Sequence, residues 1–111
     1  MKTIIKIATL SIALLLSACK EVEKENKAQI IIAKIEKSKL ILAEYLSELD
    51  SEVSTLETRK EIVCIKYPNY YQNTYIPLTL KLNPSADNKE YLIDKMNETL
   101  EFYKERDQIE C

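Results

Sequence analysis

No glycine occurs anywhere in this 111-residue chain. Glycine is the residue that takes positive φ without steric cost, so its absence removes the usual helix C-cap and most tight turns. It also removes phosphate-cradling loops and glycine-dependent nucleophile elbows. The architecture this leaves is long helices joined by non-glycine connections.

The first nineteen residues set the compartment. Lys2 and Lys6 give a basic start, Ile7 to Leu16 is apolar, and Leu16-Ser17-Ala18-Cys19 closes the stretch with small residues and a cysteine. The apolar run is about half of the ~20 residues that span a bilayer, which argues for a cleaved signal rather than an anchor helix. An ordinary secretory signal that happens to end in cysteine is the alternative. The four residues resemble the lipobox of bacterial lipoproteins. That resemblance implies diacylglyceryl transfer to the Cys19 thiol, cleavage after Ala18, and acylation of the new amino group. It places the mature chain on a membrane, and Lys20, where an aspartate would favour inner-membrane retention, makes the outer membrane facing the periplasm the default. A single-membrane envelope and surface display stay open.

Residues 1–18 are then a signal peptide, 19–27 the lipidated cysteine with a charged tether, and 28–111 one small domain. Of sixteen basic and eighteen acidic residues, only Lys2 and Lys6 leave with the signal, so the mature chain carries a formal −4. Nucleic acid is disfavoured as a partner. With Cys19 lipidated, only Cys64 and Cys111 remain, and an oxidising compartment offers them one intramolecular connectivity. Free or intermolecular thiols are the alternative.

From Ala28 to Glu61 there is neither proline nor glycine, and Ile35, Leu42, Leu49 and Leu56 recur seven apart. The phase carries through Asp50 and Ser51, so the pattern predicts one helix over about 28–61. Ser38, Tyr45 and Glu52 interrupt the second seam of a strict coiled coil. In residues 62–84 the character changes. Ile62-Val63-Cys64-Ile65 is rich in β-branched residues, while Ile76, Leu78, Leu80 and Leu82 alternate with Pro77, Thr79 and Lys81. That reads as an extended or β-hairpin-like connection, with Pro77 on an edge. Pro84-Ser85, then Asp87 with Glu90, open a second helix over about 86–108, whose stripe is Tyr91, Leu92, Ile93, Met96, Leu100 and Tyr103. The expected fold is mainly α, with two long helices and a disulfide between their C-terminal ends. Side by side, such helices run parallel, and an extended segment returns between them.

Catalytic chemistry finds little support. Histidine is absent, and Glu44 with Glu48, Asp94 with Glu98, and Glu98 with Glu101 are helix-surface spacings in a mixed-charge pattern. No catalytic residue, metal ligand or cofactor is expected. Tyr67, Tyr70, Tyr71 and Tyr75 crowd a nine-residue window. In a loop they would form a partner-binding surface; the other reading is that they cover the core. The function expected is a non-catalytic protein-binding module in the cell envelope, of an accessory, exclusion or immunity kind. The alternative is a homo-oligomeric helical spacer, similar in plan to the murein lipoprotein but without that family's terminal lysine, since this chain ends in Cys111.

Overall fold

A computed structural model describes Glu25 to Cys111 with side chains; before Glu25 it bears only on the bounds of the first helix. The signal peptide, Cys19 and Lys20 lie outside the described residues. No helix among the described residues is long and apolar enough to cross a membrane. The chain divides into two compact units, Met1–Ile32 and Ala33–Cys111. In the first, Glu25 to Lys27 are helical and exposed, as are Ile30 and Ile32.

The second unit is three helical rods. The first is the end of α1 (Lys2–Leu49), the second runs through residues 56–82, and the third is α5 (Ala86–Asp107). There is no strand among the described residues. One core joins all three: Leu42 and Leu49 from the first, Ile62, Val63, Tyr67, Tyr71 and Ile76 from the second, and Leu92, Met96, Leu100 and Tyr103 from the third.

The single helix expected over 28–61 is corrected by a break after Leu49. Residues 50–55 take local turn bonds instead: the Ser51 and Ser54 amides donate to Glu48 O and Ser51 O, and the Val53 amide to Ser51 Oγ. Serine and threonine offer the backbone such local alternatives to a helix. Thr55 then caps α2 (Leu56–Glu61), its side chain accepting from the Thr58 amide at 3.1 Å. The heptad phase across the break is coincidence: Leu49 is 1% exposed, Val53 88% and Leu56 61%.

The extended connection expected over 62–84 is also corrected, for it is helix nearly to its end. α2 runs into a π-helical turn, Ile62–Lys66, then α3 (Tyr67–Tyr70), a second π-helical turn, Tyr71–Tyr75, and α4 (Ile76–Leu82). The two π turns are nine residues apart and each ends just before a proline, Pro68 and Pro77. Proline inside a helix lacks an N–H and its ring collides with the carbonyl four residues back. Here Tyr67 donates to Ile62 O and Ile76 to Tyr71 O, both five residues back. The widened turn gives the ring room, and each proline falls in the first turn of the next α segment, where no donor is needed. Two helix breakers are thereby absorbed, and the rod continues.

α5 begins and ends close to expectation. Its cap is Ser85, accepting from the Asn88 amide at 3.0 Å, with Asp87 in the first turn rather than at the cap. At the other end Gln108 takes φ 54°, the left-handed conformation that glycine usually supplies. The Ile109 amide reaches back to Lys104 O at 2.9 Å and Ile109 is buried. This is the Schellman arrangement with its accompanying apolar contact, built without glycine. The turn brings Cys111 to Cys64, and the two form a disulfide with Cα atoms 5.6 Å apart. Closing 47 residues of separation contributes about 4 kcal/mol in the chain-entropy picture. The disulfide expected between two helix C-terminal ends is corrected: Cys64 lies in the π-helical turn inside the second rod, so Cys111, past the end of α5, is joined to that rod and not to the end of the first. The return between the first and third rods is a helix rather than extended chain.

Candidate functional site

Two polar constellations stand on this bundle, and only one is satisfied within the chain. The first lies where the first and third rods end. Arg106 donates to Asp50 Oδ1 at 2.8 Å, to Leu49 O at 2.6 Å, and to both oxygens of Asp107 at 2.9 and 3.0 Å. The Tyr103 hydroxyl donates to Asp50 at 3.1 Å, and the Arg106 guanidinium lies over its ring. Arg59 reaches Asp107 at 3.6 Å and donates to Ser54 Oγ at 2.7 Å and Ser51 O at 3.3 Å. A terminal carbonyl of α1, which has no helical donor of its own, thus receives an arginine. The hydrogen bonds from Arg106 hold the Asp107 carboxyl below its usual range, and those to Asp107 and Asp50 raise the guanidinium. Burial first, then the bond to Asp50, raises the Tyr103 phenol. Such a network clamps a fold; it leaves no group over for a ligand.

The second constellation is a groove of about 470 Å³ between the first two rods. The first rod contributes Lys34, Lys37, Ser38 and Ile41, spaced along one helix face. The second contributes Tyr70, Asn73, Thr74, Pro77, Leu78 and Lys81. The second π turn carries Asn73 and Thr74 and sets Pro77 and Leu78 beside them. Ser38, an interruption in the heptad pattern, is 2% exposed. It donates to Lys34 O at 2.9 Å and accepts from the Tyr70 hydroxyl at 3.4 Å, which ties the two walls together.

Three lysines and no acid line this groove. Four lysines elsewhere pair with an acid, Lys39 with Glu36, Lys66 with Glu61, Lys95 with Glu98 and Lys104 with Glu101, while Lys60 and Lys89 stand singly rather than in a cluster. Lys34, Lys37 and Lys81 have no acidic residue three or four positions away in either direction. Among the described residues they make no ion pair. That absence was readable from spacing alone, and the sequence reasoning above passed over it.

The four tyrosines do not form the loop surface expected of them. They ride a helix, where Tyr67 and Tyr71 are core residues at 5% and 6% exposure, and Tyr70 and Tyr75 are half-buried against that core. Tyr67, Tyr71 and Tyr75 pack ring to ring, with centroids 5.8 and 4.9 Å apart, and Tyr45 meets Tyr70 edge-on. Burial raises the phenols of Tyr67 and Tyr71 above the ordinary range. Of the four, only Tyr70 reaches the groove. No cluster of three or more metal-binding side chains is present among the described residues. Comparison with known protein families, with curated proteins and with solved structures found no match.

Proposed function

We propose that this protein is a lipid-anchored component of a bacterial cell envelope that binds another protein without catalysing a reaction. The anchor rests on the lipobox-like Leu16-Ser17-Ala18-Cys19, and the binding reading rests on the groove. One observation carries it: three unpaired lysines around an apolar floor, on a chain whose mature charge is −4. Four other lysines are paired with acids, whereas these three converge on one groove that no acid lines, which gives it the form of a surface completed by something else. An acidic protein segment with an apolar face supplies both halves of that complement. Ile41, Tyr70, Pro77 and Leu78 take the apolar part and the lysines the carboxylates.

The test is photocrosslinking from Leu78 in intact cells, since Tyr71 is buried and a reactive group there would report only on the core. Capture of one discrete protein, identified by mass and lost on Lys34→Glu, Lys37→Glu and Lys81→Glu together, is the expected result. Capture of nothing, or capture indifferent to charge reversal, would overturn the groove. The anchor is tested separately: Cys19→Ser should move the chain from the membrane to the soluble envelope fraction.

A further inference from the structure

We propose that the segment received by the groove is the outer face of α5 on a second copy of this chain. The inference rests on the reading of the groove as a dock for an acidic protein segment, and names the occupant. Charge is distributed unequally over the rods. α5 carries seven acidic residues against four basic ones, whereas residues 56–82 carry four basic against two acidic. Within α5 the acids surround an aromatic: Phe102 is 59% exposed, with Glu98 one turn before it, Glu105 one turn after, Glu101 adjacent and Asp94 a turn beyond Glu98. Glu98 and Glu101 already bond to Lys95 and Lys104. Asp94 and Glu105 make no ion pair among the described residues.

An apolar knob between carboxylates on α5 therefore matches an apolar floor between ammonium groups in the groove. The two patches lie on different elements of one molecule, so each copy offers both a knob and a groove: two copies can exchange them reciprocally, or each filled groove can leave another open for the next copy. Exposed charge pairs are individually weak. Copies tethered to one membrane surface meet at raised effective concentration, which favours such contacts without further area.

The experiment uses the full chain in membranes, with two differently tagged copies co-expressed and benzoylphenylalanine replacing Phe102 in one. The expected result is crosslinking to the other copy. Lys34→Glu, Lys37→Glu and Lys81→Glu in the receiving copy should lower the yield at least tenfold. Asp94→Lys, Glu98→Lys and Glu105→Lys in the crosslinking copy should then restore it. No crosslinked second copy, or a loss that the reciprocal reversal leaves in place, would overturn the proposal. Lys→Gln versions give a milder series, and helical circular dichroism checks that every variant is folded. If Leu78 captures a foreign protein while position 102 captures no second copy, self-association falls and the groove survives; if neither position captures anything, both fall.

Discussion

The clamp at the end of the bundle and the groove between its first two rods use positive charge to opposite ends. At the clamp, Arg59 and Arg106 meet Asp50 and Asp107, and a backbone carbonyl takes a further N–H. In the groove, Lys34, Lys37 and Lys81 meet no acid at all. The difference is one of geometry as well as charge. A planar guanidinium grips two partners at once and fixes their positions, whereas an ammonium on a flexible stem stays available. Charges enclosed by their own chain serve stability, and charges left over on a formed surface are the ones to question about partners.

That contrast can be broken by mutation. The largest effect on stability should come from Cys111→Ser, which opens the cross-link beside the clamp. Denaturant unfolding should show a loss of about 4 kcal/mol, and a loss under 1 kcal/mol would mean that the clamp alone holds the end of the chain. Next comes Tyr103→Phe, which removes the hydroxyl bonded to Asp50 while keeping the ring, for a cost of about 1 kcal/mol. The groove triple Lys34→Gln, Lys37→Gln and Lys81→Gln should change stability least, by about 0.5 kcal/mol or less per site, because nothing inside the chain depends on those charges. A larger loss would show that the groove is structural after all.

pH sharpens the same comparison. The folded state lowers the Asp107 carboxyl through its bonds to Arg106, so its contribution is fully present above the unfolded value of about 4. It is lost as pH falls through the lowered folded value. Tyr67 and Tyr71 have raised phenols, so stability is complete below their unfolded value of about 10 and declines above it. Melting temperature against pH should therefore fall at both extremes, with tyrosinate absorbance rising together with unfolding on the alkaline side. The acid limb should weaken in Asp107→Asn, while the groove variant keeps the parent profile.

How far the sequence could be read follows from what each segment offered. α5 was legible because Pro84-Ser85 opens it and Leu92, Met96, Leu100 and Tyr103 repeat at helical spacing into the core. The disulfide was legible once Cys19 was set aside. The break at residues 50–55 was not, because Leu49 and Leu56 keep the heptad phase while only one of them is buried. The second rod was misread for two reasons. Ile76, Leu78, Leu80 and Leu82 fit alternation, yet Ile76 and Leu80 are also one helical turn apart. Pro68 and Pro77 argue against a helix unless a π turn precedes each, and no residue type announces a π turn. The tyrosines followed from that error: placed on a helix, two of them face the core. The groove needed the fold, because its walls come from two segments far apart in sequence, Lys34 to Ile41 and Tyr70 to Lys81, although the missing acids around its lysines did not.

The disulfide also fixes how this molecule would carry a load. Tension applied between the N-terminal side and the C-terminus runs down α1, through the 50–55 loop and α2 to Cys64. There it crosses directly to Cys111 and bypasses every residue between them. Drawn fully taut, residues 33–64 could extend to about 110 Å, against about 270 Å for residues 33–111 without the cross-link. The second rod from Cys64 onward and the third rod form a closed covalent ring that cannot be drawn out from its ends. A protein held by its N-terminus and pulled by its C-terminus would yield in the first rod, the loop after it and α2, while the ring stays closed.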